Sequence, residues 1–309
     1  MEKKTDLYFE KLKKRVPKNL KIEPVSNENI NLANDYLKTR KNLEFKFSPL
    51  KSHFGNDWDY NTNPLGYFMR NIENNKIVGF LGTICSRRII QGKEFVCCNL
   101  VHWFVEKEFR VFAYAFFFPL MEREIIVYAT TPRDTIIGIY KRFNFHIETA
   151  KYTAGVGINI LSFFSKNYGR FSIINNQEDI KNQLNINDRK IFDDHKEYNC
   201  INLLIKDKKN QLEPLYLLLK KKKKYNFNIL DIIYSSNTKE YKNYAPEICT
   251  KICFTLKKLF IGQLYFKTES RLKFNPNFTT KTVERFYPIK KLNGLSFYDY
   301  LYSDVIMFD

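Results

Sequence analysis

Glycine and proline are scarce in this sequence, 11 and 10 among 309 residues, which excludes collagen-like and linker-type chains. Long apolar runs are missing too. The most apolar stretch, Val111 to Met121, is eleven residues, against the roughly 20 that a membrane helix needs. The N-terminal MEKKTDLYFEKLKKRV is charged and has no apolar core of the signal-peptide kind. Its Leu7, Leu12 and Val16 space as a short amphipathic helix instead, so the expected location is cytoplasmic. The six cysteines (Cys85, Cys97, Cys98, Cys200, Cys249 and Cys253) include no CxxC pair, so no zinc spacing is present and no metal is expected. Cys249 and Cys253 share a helix face with Ile248, Ile252 and Leu256. All six read as buried free thiols in a reducing compartment. No P-loop, GxGxxG or Ser-His-Asp grouping occurs, which removes P-loop NTPase, Rossmann and serine-hydrolase readings. His53, His146 and His195 lie in contexts that assign them no role.

What is present is ample core material, 44% hydrophobic and 16% aromatic, in a chain long enough for one large domain or two ordinary ones. The formal net charge is +18, divided as +7 over residues 1–150 and +11 over the rest. This excess either favours anionic partners, such as CoA, nucleotide-sugars, lipid headgroups or RNA, or belongs to lysine-rich solvated faces. The run Lys220–Lys224 follows an apolar strand, Leu215–Leu219, and reads as a solvated strand end or an anion-contacting patch.

Hydrophobic periodicity orders the elements. Lys21–Val25 reads as a strand, and Asn27–Arg40 as a helix with Ser26 as N-cap. Residues 41–64 read as loop anchored by Phe45, Phe47, Phe54 and Trp58. Strands Tyr67–Asn71 and Lys76–Ser86 flank a turn at Glu73–Asn75, and Gln91-Gly92 turns into a strand Glu94–Val105. A helix Arg110–Arg123, a strand Glu124–Ala129, a helix Pro132–Arg142 and a strand from Phe143 follow. The class is α/β with a mixed (α+β) sheet, ordered β-β-β-α-β-α-β. In the second half, strands Cys200–Ile205, Leu215–Leu219 and Asn228–Tyr234, a helix Ala245–Leu259 and a strand Gly262–Phe266 repeat β-β-β-α-β. A divergent second copy is therefore expected, with domains at 1–165 and 175–309 joined through the Asn-rich 175–187.

The chemistry concentrates in Cys98-Asn-Leu-Val-His-Trp-Phe-Val-Glu-Lys-Glu-Phe-Arg-Val-Phe-Ala-Tyr-Ala115. A strand ending in Phe104-Val105 runs into Arg110-x-x-Ala113-x-Ala115 at a helix start. Helix N-termini offer unpaired amides and a positive dipole end to phosphates. Downstream, Thr131-Pro132 opens a helix ending Tyr140-Lys-Arg-Phe-Asn144-Phe145, and upstream Lys76-Ile-Val-Gly79-Phe-Leu-Gly82 forms a hairpin strand. Together, over about residues 65–150, these segments resemble the GNAT (Gcn5-related N-acetyltransferase) superfamily. Its Q/R-x-x-G-x-G/A loop matches Arg110 to Ala115, with Ala113 in place of glycine. Its helix-exit glycine is matched by Asn144, the other residue that tolerates a left-handed C-cap. Asn99–Arg110, Thr131-Pro132 and Tyr300–Asp304 further resemble a branch from polysaccharide-biosynthesis clusters.

The resemblance implies a GNAT-like fold and direct attack of an acceptor amine or hydroxyl on an acyl-CoA thioester, acetyl-CoA being the expected co-substrate. The acceptor it implies is a small molecule, such as a nucleotide-sugar or glycan precursor, with nucleic acid disfavoured. The family's catalytic carboxylate position on the central strand falls on Asn99, which cannot act as a base, and His102 is the nearby residue that can. Alternation puts Asn99 and His102 on opposite faces unless a bulge intervenes. Tyr140 matches the family's acid toward the CoA sulfur. Backbone amides near Phe104 and Val105 would hold the carbonyl, with Arg110, Val111, Phe112, Ala113, Tyr114, Ala115 and Thr131 completing the CoA-binding set. Trp103 is either core or a wall of the acceptor site. Two other readings stand beside this one: a Fem-type aminoacyltransferase using aminoacyl-tRNA, and a catalytically decayed GNAT-like binding module.

Overall fold

The computed structural model describes residues 9–39, 58, 64–90, 92–224, 227–237, 244–266, 279–290, 301–303 and 306. Leu7, Phe45, Phe47, His53, Phe54, Gln91, Tyr300 and Asp304 lie outside the described residues. The chain divides into two compact units. Unit 1 is Met1–His146 with Pro288–Leu295, and unit 2 is Ile147–Tyr287 with Ser296–Asp309.

In unit 1, β1 (Leu20–Val25) is followed by α1 (Ile30–Lys38), then β2 (Gly66–Asn71), β3 (Lys76–Ile90) and β4 (Lys93–Val105). The four strands form an antiparallel meander in chain order. A 3₁₀ helix, Lys107–Phe116, and α2 (Phe117–Met121) carry the chain over to β5 (Ile126–Tyr128), which pairs parallel to β4. A short 3₁₀ turn, Asp134–Ile136, then leads into α3 (Ile137–Arg142). The far side of β5 is closed from the other end of the chain. Ile289 and Lys290, at the end of β12 (Thr279–Lys290), pair with Tyr128 and Val127, and the Pro288 carbonyl accepts from the Ala129 N–H. The compact unit thus ends at His146 rather than 165, and it needs a strand some 140 residues further on.

Local chemistry explains most boundaries. The α1 cap is Asn29, not Ser26; Ser26 belongs to a polar turn in which its N–H donates to Asn29 Oδ1 and its hydroxyl accepts from Glu28 N–H. Asn144 adopts φ +55°, with Phe145 N–H bonded to the Tyr140 carbonyl and Asn144 N–H to that of Lys141. That is a Schellman end to α3, sealed by the Phe145–Tyr140 ring contact at 4.9 Å. Trp58 is buried, as an anchor should be. Gly138, exposed on α3, has open space where a Cβ would stand. Gly138→Ala is expected to stabilise by about 0.5 kcal/mol, read as a small rise in Tm by calorimetry.

The cysteine expectation needs correction. Cys85 and Cys98 face each other across β3 and β4 and are joined by a disulfide, while Cys97, Cys249 and Cys253 are buried free thiols and Cys200 is half-buried. The pairing follows from the hairpin register, Ile90 opposite Lys93, not from any local spacing.

Unit 2 repeats the topology. β7 (Phe171–Ile174) leads through α4 (Gln177–Lys181) and α5 (Ile186–His195) to β8 (Cys200–Asp207), β9 (Leu215–Lys224) and β10 (Phe227–Ser235). β7 to β10 form an antiparallel meander. α6 (Ala245–Leu256) then crosses to β11 (Phe260–Phe266), parallel to β10, and β6 (His146–Val156) pairs antiparallel with the other side of β11. Each unit is therefore β-α-β-β-β-α-β plus a closing strand from elsewhere in the chain, as the expected second copy requires. One core lies under α6, where Ile248, Cys249, Ile252 and Cys253 meet Leu203, Leu217, Leu219, Leu230 and Ile261. The opposite face packs Ile180, Leu184 and Phe192 on Leu204 and Tyr216.

The Asn-rich 175–187 lies inside unit 2 rather than between domains. Asn176 and Asn185 are N-caps, accepting from Asp179 N–H and Asp188 N–H. The lysine run does not follow the strand as expected but belongs to it. It continues β9, and alternation buries Lys220 and half-buries Lys222, 3.5 Å from Asp231, while Lys221 and Lys223 stay exposed.

Candidate active site

The site is built around the departure of β4 from β5. The two strands pair only at Cys97, Cys98 and Asn99, opposite Ile126, Val127 and Tyr128. Beyond that, β4 runs on to Val105 while β5 has ended, so the strands fork. Asn99 sits at the fork, fully buried, its Oδ1 accepting from Thr130 N–H at 3.2 Å and the Thr130 hydroxyl at 3.4 Å. Its amide ties β4 to the end of β5.

Just past the fork, β4 bulges. Pairing with β3 slips by one residue between Val101 and Phe104, and His102 takes φ +50°, a left-handed conformation that non-glycine residues adopt mainly at turns and functional positions. This is the bulge that the central strand needed if alternation was to be reset between Asn99 and His102. Next to it, the Trp103 ring meets Phe117 at 5.3 Å and Tyr140 at 6.0 Å. Tyr140 is buried, and its ring also packs on Phe117 and Phe145. Trp103 and Tyr140 thus share one aromatic cluster beside the bulge.

At the end of β4 opens a cavity of about 370 Å³, lined by Tyr36, Phe104, Val105, Glu106, Lys107, Glu108 and Arg110. This lies within the range of small-molecule sites. The 3₁₀ helix begins here, at Lys107, rather than at Arg110 as expected, and its first N–H groups lack intrahelical carbonyls. Glu106 N–H is used by the Val78 carbonyl, which fixes the chain as it leaves the sheet. Arg110 Nε donates to the Val105 carbonyl at 3.3 Å, so the guanidinium is folded back over the cavity mouth.

Of the predicted CoA-binding residues, Phe104, Val105 and Arg110 line this cavity, and Val111, Phe112, Ala113, Tyr114, Ala115 and Thr131 are not among its described lining. Ala113 and Ala115 are buried, Val111 is exposed, and Tyr114 reaches toward the Leu12 carbonyl. The small residues of the motif therefore let the helix pack closely on the sheet. Tyr36, from α1, and the charged Glu106-Lys107-Glu108 were not read as site residues. The latter lie inside the quoted motif; only tertiary structure brings up Tyr36.

The corresponding place in unit 2 is the N-terminus of α6, and it is closed. Pro246 removes an amide in its first turn. The buried Glu247 carboxylate accepts from the Ser165 hydroxyl at 2.7 Å, where an anion would need to approach. Among the described residues no group of three or more His, Cys, Asp and Glu is arranged to hold a metal, and no helix is long and apolar enough to cross a membrane.

No protein-family model and no curated protein sequence matches the chain. Solved structures do. A GCN5-related N-acetyltransferase from Anabaena variabilis superposes with a TM-score of 0.55 at 12% identity, over 87% of this chain and 72% of its own. One from Kribbella flavida gives 0.55 at 9%, over 87% and 71%. A GCN5-related glucosamine N-acetyltransferase region in a fungal multi-domain GH3 beta-N-acetylglucosaminidase gives 0.56 at 10%, over 89% of this chain and 38% of that one. Such coverage draws in both units. With the forked parallel strands, the bulged central strand and the repeated topology, the chain has the fold of the GCN5-related N-acetyltransferases.

Proposed function

We propose that the protein is an acyltransferase that moves an acyl group, with acetyl the first candidate, from CoA to the amine or hydroxyl of a small acceptor by direct attack on the thioester. The observation that carries this reading is the coincidence, at one end of β4, of the fork from β5, the His102 bulge and the cavity at the start of the 3₁₀ helix. The fork leaves the β4 backbone from Leu100 to Val105 without a β5 partner, so an extended chain such as the pantetheine arm has a strand edge to lie on. The free amides of the first turn and Arg110 suit the diphosphate. Glu106 and Glu108 oppose it, and the net charge of the lining is near neutral, so affinity rests on the amides and on Arg110.

In this reading His102 takes the proton of the attacking amine, directly or through water, while backbone amides near Phe104 and Val105 hold the thioester oxygen as charge develops on it. Tyr140 supplies a proton to the leaving thiolate. Asn99, committed to Thr130, positions the fork instead of meeting substrate. The acceptor class we favour is an amino-sugar or its nucleotide-linked form in surface-glycan synthesis. The narrow resemblance at Asn99–Arg110 supports it, as does the glucosamine acetyltransferase region among the structural neighbours. Unit 2, with its α6 N-terminus closed by Glu247, takes no donor.

The test is thermal unfolding with millimolar acetyl-CoA. A ligand at 100 times its dissociation constant adds about 2.7 kcal/mol, a shift of several degrees. Arg110→Glu is expected to abolish that shift while leaving the unliganded Tm unchanged, because the side chain is exposed and makes a single weak bond. Absence of a shift in the parent with acetyl-CoA and with longer acyl-CoAs would sink the donor assignment.

A further inference from the structure

Unit 2 carries a surface whose polarity is inverted. The 3₁₀ helix Ile160–Phe164 points its hydrophobic side chains outward: Ile160 is 69% exposed, Leu161 74%, Phe163 40% and Phe164 83%, whereas the polar Ser162 between them is buried. Ordinary folding would reverse this order. The turn is held in place by polar bonds at both ends. Asn159 N–H donates to the Thr250 hydroxyl and the Asn159 side chain caps Leu161 N–H. Ser165 donates to Glu247. These bonds tie it to α6, whose Phe254, 52% exposed, meets Phe163 edge to face at 5.3 Å. The apolar groups thus form one patch rather than scattered residues.

The rim is basic. Residues 158–170 and 251–260 contain no Asp or Glu, and they contribute Lys166, Lys251, Lys257 and Lys258; Arg170, in the same segment, is already paired with Asp207. The Lys251 ammonium sits 4.6 Å from the Tyr168 ring centre; burial and the nearby Lys208 charge lower its pKa. α6 ends on Lys257 in a left-handed cap, φ +52°, which leaves Lys257 exposed and Lys258 half-buried beside the patch. The nearby Glu247 is buried and accepts from the Ser165 hydroxyl.

We infer that this face docks on an anionic lipid surface, the Ile160–Phe164 turn entering the headgroup–acyl boundary and the lysines meeting lipid phosphates. An apolar tip whose two segments carry lysines and no Asp or Glu is complementary to that surface in both chemistry and sign. It would hold the protein at that surface.

The experiment is co-sedimentation of the full chain with vesicles. Wild type is expected to pellet with phosphatidylcholine containing about a third phosphatidylglycerol and not with pure phosphatidylcholine, the binding weakening with salt. Leu161→Ser/Phe164→Ser is expected to lower the partition coefficient at least about tenfold. Lys257→Glu/Lys258→Glu is expected to remove the preference for anionic vesicles. Leu161, Phe164 and Lys257 are exposed and Lys258 is half-buried, and an unchanged Tm shows that each variant is folded. Three results overturn the inference. The first is wild type pelleting with neither vesicle; the second is Leu161→Ser/Phe164→Ser binding as wild type does, which makes diffuse positive charge responsible; the third is a wild type that self-associates, binds no vesicle and becomes monomeric in that variant, which makes the face a contact between copies.

Discussion

Replacing His102 by asparagine is expected to lower kcat by a factor of about 10² to 10⁴ while leaving the KM for the acyl-CoA donor unchanged. The choice of asparagine matters. His102 sits at φ +50° in the β4 bulge, a region that His, Asn and Asp populate several times more readily than other non-glycine residues, so alanine there would mix a backbone effect with any chemical one. Asparagine is among the residues that tolerate this conformation, so the bulge and the fork below it survive and only the titratable ring is lost. The proposed donor contacts lie further along the chain, where Phe104, Val105 and Arg110 line the cavity, and this separates the two kinetic constants. A steady-state comparison with acetyl-CoA and an amine acceptor reads the result. An unchanged kcat would mean that the ring was selected for the backbone it accepts and that the proton leaves by another route.

The largest stability effect is expected from Gly262→Ala in β11. A Cβ at this position falls on Asp231 Oδ1 and Tyr152 Oη, inside van der Waals contact with both. Neither atom can step aside cheaply. The Tyr152 hydroxyl donates to Asp231 at 2.5 Å, Lys222 stands 3.5 Å from the other carboxylate oxygen, and Asp231 is 4% exposed. Overpacking and displacement of a buried charged hydrogen bond together give a loss of about 2–5 kcal/mol, or a Tm lower by roughly 5–15 °C. Adding Tyr152→Phe to Gly262→Ala removes one of the two clashing atoms and is expected to recover part of the loss. A neutral Gly262→Ala in calorimetry would show that the sheet opens freely at this point, and that the Tyr152–Asp231 contact does not hold it.

Gly262 also shows where reading along the chain stops. The strand was legible from Gly262 onward; that the glycine makes room for a phenol from residue 152 and a carboxylate from residue 231 was not, because strand alternation predicts a face but not its neighbours. The same limit applies to the lysine run. Read as following its strand, the run gave no sign that Lys220 and Lys222 turn inward, and only the pairing of β9 with β10 supplied Asp231 as a partner. The cysteines are a milder case. Residues 85 and 98 are equidistant from the β3–β4 turn, so the hairpin register contained their pairing, although no local motif announced it.

Misplaced boundaries came from propensity taken without position. Asparagine reads as a loop residue, so 175–187 resembled a linker, yet Asn176 and Asn185 begin helices by capping them. β7 and β12 were passed over. β7 has only four residues, and β12 ends with a proline and charged neighbours, which weaken a strand signal. Pro288 is tolerated because its carbonyl, not an N–H, makes the bond to Ala129.

The sequence by itself determined the order of elements from β1 to β6 and from β8 to β11, the left-handed exit at Asn144, the strand–turn–helix context of Arg110 and the resemblance that pointed to acyl transfer. These are local properties, set by side-chain period, capping and steric limits on φ within a few residues. Only the tertiary structure decided that β5 leaves β4 at Asn99, that His102 occupies the bulge, that Ala113 and Ala115 face the core, and that Tyr36 lines the cavity. It also decided that the first unit is completed by Pro288–Lys290 and that a turn of four large hydrophobic residues faces outward. Each of these depends on which distant segment packs against a given face, and strand pairing between residues far apart in the chain leaves no periodic trace in either partner.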